Sequence, residues 1–335
     1  MPTFRSRRLT TGLLVVQTAL VTGIAWNSSP NCDELAHLAA GLYHWQTGRF
    51  DAYRVNPPLV RLWACLPLAI TRPQVNWSAI HHGPRGRSEW QFAQDLMSGL
   101  GVEQVWWGLF VARMMCLPFL WLGAVGCHRW ASERYGSTAG LTAMTLWCFC
   151  PNLMSWGATL CPDVAAAAVA TTAAYYSSRW LGRRRWGDAL AAGCWLGLAL
   201  LAKFTCVILL LLAPAQKLLS CGRQDVVGTQ RLHGVVVGCL ALTIVNLGYG
   251  FARSGARLGD LTFCSRLLAG GSESTVCTGN RFRRTPLGDL RVPLPADLIL
   301  GMDRQRADFE HGKRSYLAGR WQPVSYTHLR AHETT

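Results

Sequence analysis

The sequence is poor in charged residues, and acidic residues are the scarcer kind. Charged residues make up 15% of the 335 positions, and 18 Asp and Glu stand against 33 Lys and Arg. Soluble domains carry about 25% charged residues. A hydrophobic fraction of 50% excludes a disordered chain and disfavours one water-soluble core. We therefore expect a protein that lies in a lipid bilayer.

Motifs of nucleotide and zinc chemistry are also absent from the sequence. We find no Walker motif, no dinucleotide-binding glycine motif, no Cys/His zinc spacing and no internal repeat. The net charge of +15 would suit a nucleic-acid partner on a soluble protein. In a membrane protein, Lys and Arg instead mark the cytoplasmic ends of the spans. We predict membrane lipids as partners and no nucleic acid.

Uncharged apolar runs predict an all-α, polytopic bundle of about seven transmembrane helices. The run 189–219 is too long for one helix, so we divide it at Lys203 into two short spans. Basic residues then collect on the cytoplasmic side together with the N-terminus, as the positive-inside rule requires. The predicted spans lie near 9–26, 105–127, 138–157, 164–180, 189–202, 204–219 and 232–251.

Outside the membrane this arrangement leaves a long first loop, 27–104, and a polar extracytoplasmic region, 252–322, after the membrane region 1–251. The apolar stretch 60–70 is too short to span and predicts an interfacial helix. Residues 323–335 resemble a translated sequencing adapter, so we expect a non-native tail on a truncated chain whose activity as written is open.

Thirteen cysteines do not by themselves predict a disulfide framework. Most lie inside apolar runs, where Cys acts as a small buried hydrophobic residue. Sequence spacing cannot pair the four that fall outside the membrane, because bonding requires closely placed Cα atoms. These four are Cys32, Cys161, Cys264 and Cys277.

Acidic and histidine residues gather directly after the first apolar run. Apolar residues recur there at helical spacing, with Asn31 or Asp33 near the N-cap, and Asp33, Glu34, His37 and His44 fall on one helix face. One interpretation is a carboxylate that the helix N-terminus keeps ionised and that accepts a proton from a hydroxyl or amine. The histidines would orient it, or His37 and Glu34 would bind a divalent metal. The alternative is an N-cap with a solvated histidine face.

Two further segments add charged groups on the same side of the membrane. The turn Asn56-Pro57-Pro58 leads into the interfacial helix between two arginines, and Pro162-Asp163 forms a short outer loop. The alternative role of Asp163 is to cap the next helix. The alternative for Lys203 is a residue whose side chain extends from the apolar run toward the membrane surface. The charged candidates outside the first helix are Arg54, Arg61, Asp163 and Lys203.

In this order the segments resemble the GT-C class of membrane glycosyltransferases. The resemblance is to the protein O-mannosyltransferase and aminoarabinose-transferase group, with the bacterial RgtA/B/C/D-like proteins, and it covers residues 9–322. It depends on Asp33-Glu34 after the first span, Asn-Pro-Pro-Leu at 56–59, Pro162-Asp163, and Gly-Leu-Ala-Leu-Leu-Ala-Lys-Phe at 197–204.

The resemblance implies transfer of a hexose or pentose from a polyprenyl-phosphate donor to a lipid, protein or polysaccharide acceptor, usually with inversion. It implies a bacterial inner-membrane enzyme with an extracytoplasmic active site, whose catalytic carboxylates would be Asp33, Glu34 and Asp163. No cofactor is required, and a divalent metal stays open. Asn56 stands where the relatives carry a histidine or an acidic–lysine pair. We expect Arg54, Arg61 and Lys203 to bind the donor phosphate, and the site to be shaped by His37, His44, Asn56, Pro57 and Pro58.

Two other classes of function compete with this interpretation. A transporter would place ionisable residues near the middle of its spans, and here Arg113 and Lys203 are the main ones inside apolar runs. A non-catalytic membrane scaffold would use the outer loops to bind another protein. The scarcity of ionisable residues within the spans disfavours the transporter, and the glycosyltransferase is the leading interpretation of the three.

Overall fold

The computed structural model describes residues 4–77, 89–211, 227–270, 277–311, 313–317 and 320–324. Over these residues the fold is all-α apart from one terminal hairpin, which confirms the predicted fold class. The helices are α1 (Phe4–Asn27), α2 (Cys32–Thr47), α3 (Leu59–Ala64), α4 (Leu66–Ile70), α5 (Glu89–Leu100), α6 (Val102–Met115), α7 (Leu117–Tyr135), α8 (Ser137–Cys148), α9 (Pro151–Gly157), α10 (Pro162–Arg183), α11 (Trp186–Ala202), α12 (Val227–Gly248), α13 (Arg266–Ala269) and α14 (Ala296–His311).

Three described helical stretches are long and apolar enough to cross a membrane. They are Arg7–Asn27, Val102–Tyr135 and Arg231–Gly248, and the bent pair α9 and α10 would make a fourth. The predicted third span, 138–157, is divided between α8 and α9, because Pro151 begins a new helix where α8 has ended. Of the predicted span 204–219, Phe204–Leu211 forms 3₁₀ turns and the rest lies outside the described residues.

Helices α11 and α12 pack in parallel through glycines. A Cβ at Gly193 would lie 3.0 Å from the Val237 carbonyl oxygen, and one at Gly248 would lie 2.5 Å from Leu201. Small residues allow such close backbone approach between membrane helices. The C-termini of both helices therefore lie at the same end of the bundle. Two consecutive parallel helices require the chain between them to return to the other end, as the predicted division at Lys203 implies.

The segment that follows α1 packs over that end of the bundle. Its helices α2, α3 and α5 bury one continuous apolar cluster with α6, centred on Leu38, Leu42 and Leu96. Gly41 allows α2 to approach α3 closely, since a Cβ there would lie 2.7 Å from the Arg61 carbonyl oxygen. The stretch 60–70, for which we predicted an interfacial helix, is helical and forms α3 and α4, which meet at Cys65.

The region after α12 folds back onto the same end. Helix α14 buries Leu298 in a cluster with Leu201, Phe204 and Tyr249, and a disulfide joins Cys264 to Cys277. Cys161 is a free thiol, and the side chain of Cys32 is outside the described residues. Strands Lys313–Leu317 and Arg320–Val324 form an antiparallel hairpin that includes the first two residues of the expected tail, whose remaining residues lie outside the described part.

Candidate active site

A capping box fixes the N-terminus of α2. The Asn31 side-chain oxygen accepts hydrogen bonds from the backbone N–H groups of Asp33 and Glu34, both at 3.0 Å, and Glu34 Oε2 accepts from the Asn31 N–H at 2.9 Å. Asn31, one of the two candidates, is thus the N-cap. Asp33 itself is exposed, and no described residue donates a hydrogen bond to its carboxylate.

Glu34 has a different environment from its neighbour. Its side chain is fully buried and forms a two-point ion pair with Arg113, with N–O distances of 2.8 and 2.7 Å. Its Oε1 also accepts the backbone N–H of Leu160 at 2.7 Å. Both carboxylate oxygens are therefore occupied by protein donors, which leaves Glu34 neither solvent-facing nor free to bind a metal.

His37 and His44 are buried, which contradicts the alternative of a solvated histidine face. The His37 ring lies 4.5 Å from the Tyr53 ring, and the His44 ring stacks on Phe50 at 4.8 Å. His44 Nδ1 donates to the Arg49 carbonyl at 2.7 Å. The loop that follows α2 covers this face, so Asp33 does not share an exposed face with Glu34 and the two histidines.

Burial and nearby positive charges lower the pKa values of both histidines. Burial lowers the pKa of His37 well below 6.5, and the charges of Arg61 and Lys203 lower it further. Burial and then Arg61 likewise lower the pKa of His44. Both imidazoles are therefore neutral near pH 7, and two of the expected phosphate-binding cations lie within electrostatic reach of His37.

Two sequence candidates from distant segments are in direct contact. Lys203 Nζ lies 2.5 Å from Asp163 Oδ1, and Cys161 Sγ donates to the other oxygen of Asp163 at 2.8 Å. Asp163 lies in the first turn of α10, while Lys203 follows the end of α11 in an extended conformation. The pair is partly exposed, so both groups are accessible to a ligand.

The arginines that flank the Pro-Pro turn are held in different ways. Arg54 Nε donates to Asp297 of α14 at 2.6 Å. Arg61 is buried, donates through Nη2 to the Asn56 carbonyl, and lies over the Tyr53 ring at 5.1 Å. Its Nε and Nη1 have no hydrogen-bond partner among the described residues. Pro57 and Pro58 lead directly into α3, which carries Arg61.

No three His, Cys, Asp or Glu side chains lie close enough to hold a metal ion in the part of the chain that the structure describes. Glu34 and His37, the pair that the sequence suggested for a metal ion, therefore do not belong to such a group among the described residues. Sequence reasoning also missed two partners, Arg113 for Glu34 and Asp297 for Arg54. The only signal in the sequence was the position of Arg113 inside an apolar run, since a charged residue there requires a partner.

Comparison with known protein families gives a match over part of the sequence. Residues 96–249 match the sequence model of the dolichyl-phosphate-mannose-protein mannosyltransferase family. The match covers less than half of the chain, from the end of α5 to the end of α12, and agrees with the GT-C resemblance of the sequence. No curated protein and no solved structure matches the chain.

Proposed function

We propose that this chain, a membrane glycosyltransferase of the GT-C type, transfers a sugar from a polyprenyl-phosphate donor to an acceptor hydroxyl or amine at the extracytoplasmic face. The observation that carries the proposal is the exposed Asp33 carboxylate, which a capped helix presents at the end of the bundle where Lys203 and Asp163 meet. A lipid-linked donor keeps its reacting carbon at the membrane surface, where these groups lie.

In the proposed reaction the acceptor oxygen or nitrogen forms a bond to the anomeric carbon of the donor, and the bond from that carbon to the phosphate oxygen breaks. Asp33 takes the proton that the acceptor loses. A single displacement of this kind inverts the anomeric configuration. The polyprenyl phosphate leaves with the electron pair and needs cations to stabilise its charge.

Arg61 and Lys203 are the cations best suited to the leaving phosphate. The Nε and Nη1 atoms of Arg61 have no hydrogen-bond partner among the described residues, and Lys203 has a partly exposed ion pair with Asp163 to exchange. Arg54 is a weaker candidate because Asp297 already binds its Nε. In this proposal His37, His44 and the Asn56-Pro57-Pro58 turn form the wall that places Arg61.

The transporter alternative is less well supported, because Arg113, one of the main charged residues inside apolar runs, is held in a buried ion pair.

We further propose a bacterial inner membrane with the N-terminus in the cytoplasm. A topology reporter fused after Phe251 tests the orientation, and a cytoplasmic signal would contradict it.

Replacement of Asp33 by Asn tests the function. Membranes that contain the protein are supplied with radiolabelled polyprenyl-phosphate mannose or glucose, and label is counted in lipid, protein and polysaccharide fractions. We expect transfer to fall by about 10²- to 10⁴-fold, the usual contribution of a general base. Glu103→Gln is the matched control, since Glu103 is an exposed carboxylate in the first turn of α6. Unchanged transfer by a normally inserted Asp33→Asn variant would contradict the assignment.

A further inference from the structure

Arg113 is a buried arginine with an extensive set of hydrogen bonds. Its side chain is 1% exposed. Besides the two bonds to Glu34, it donates to three backbone carbonyls, Ala25 at 2.7 Å, Ser28 at 3.0 Å and Ser29 at 3.3 Å. A guanidinium has five N–H donors, so every donor of Arg113 has a partner.

Glu34 extends these contacts to two other segments. Through Oε2 it accepts from the Asn31 N–H at the start of α2, and through Oε1 from the Leu160 N–H just before α10. The ion pair therefore joins the end of α1, the start of α2, helix α6 and the loop that precedes Asp163. Asp33 is the chain neighbour of Glu34, and Asp163 follows Leu160 by three residues.

We infer that Arg113 and Glu34 form a positioning pair that fixes Asp33 relative to the Asp163 loop, an inference that rests on the proposed function. Neither side chain touches the substrate, because both are buried and fully bonded. A shift of about 1 Å in a reacting group is enough to slow an enzyme by about a hundredfold. The pair acts by preventing such a shift at the N-terminus of α2.

The test compares Arg113→Lys and Glu34→Gln in the wild-type and in the Asp33→Asn background, with polyprenyl-phosphate mannose or glucose as the donor. Lysine keeps the positive charge, but its three N–H donors on one atom cannot replace the planar five-donor fork. We expect kcat to fall by about tenfold to a hundredfold in the wild-type background, with the donor KM changed by less than about twofold. In the Asp33→Asn background the residual rate should not change further.

Arg179→Lys is the matched control. Arg179 also binds two carboxylates, Asp188 and Glu133, but at the other end of the bundle. Its variant should keep the wild-type kcat. All rates are expressed per folded molecule, measured as the fraction that unfolds cooperatively on heating in detergent, so that a merely structural loss does not lower kcat.

Three results would overturn the inference. They are a wild-type kcat in folded Arg113→Lys and Glu34→Gln, an equal fall in both backgrounds, or a rise in donor KM without a fall in kcat. Glu34→Gln keeps the side-chain size and serves where Arg113→Lys yields too little folded protein. Full activity of Asp33→Asn alone would contradict the proposed function first, and that result is distinguishable from all three.

Discussion

The ion pair between Arg54 and Asp297 leads to a quantitative prediction about how α14 is held. The two residues are 243 positions apart, their side chains are only 12% and 7% exposed, and Nε lies 2.6 Å from Oδ1. Removing one partner of a buried pair costs about 3–5 kcal/mol, because the other charge stays buried without compensation. Asp297→Asn keeps the size of the side chain and removes its charge. The substitution removes only the ion pair between α14 and Arg54, so we expect α14 to open locally more often while the rest of the bundle remains folded.

Hydrogen exchange in detergent measures this local opening. A loss of about 3 kcal/mol corresponds to roughly a hundredfold faster exchange of the α14 amides, while α10 should be unaffected. Arg306→Met is the matched control on the same helix, since the Arg306–Glu310 pair is partly exposed and of the i,i+4 type; it should change α14 by less than about 1 kcal/mol. The double variant Arg54→Met, Asp297→Leu should recover most of the protection. Unchanged α14 exchange in Asp297→Asn would refute the reasoning.

Two other predictions concern packing and pH. Gly123→Ala should sharply reduce the yield of folded protein in a thermal-unfolding assay, because the new Cβ would lie 1.9 Å from the Trp147 ring, whereas Gly12→Ala, with nothing within 4 Å, should be neutral. Because the folded state lowers the pKa values of His37 and His44 below 6.5, the unfolded chain binds their protons first, so stability should fall as the pH drops below 6.5. The expected slope is up to about 1.4 kcal/mol per pH unit for each histidine. Thermal unfolding between pH 7.5 and 5 checks it, and a flat profile would contradict it.

Some features of the site followed from local sequence because local chemistry decides them. Asn31 and Asp33 were the N-cap candidates by residue type. Asn31 is the N-cap of α2, and its side chain bonds to backbone N–H groups only two and three residues further along the chain. The helix end before Lys203 was predicted from length alone, since one helix over 189–219 would exceed the bilayer core, and α11 ends at Ala202. These features need no knowledge of what packs nearby.

Helical spacing was a poor guide to which side chains on α2 are exposed. It placed Asp33, Glu34, His37 and His44 within about 60° of one another around the helix axis. Residues that share a helix face can still differ in exposure when different segments cover different parts of that face. Here Arg113 covers Glu34, and the loop with Phe50 and Tyr53 covers the histidines. A helical projection contains no information about these neighbours.

The sequence by itself determined that the chain is a membrane-embedded helical protein, because a backbone in lipid must form its hydrogen bonds within helices and this requires long apolar runs. It also determined the residue types and motifs that resemble those of GT-C enzymes. Only the tertiary structure decided their states: Glu34 paired with Arg113, Asp163 with Lys203, Arg54 with Asp297, and Asp33 exposed. The reason is that charge pairing and burial depend on distance in space, and these partners are 40 to 243 residues apart along the chain.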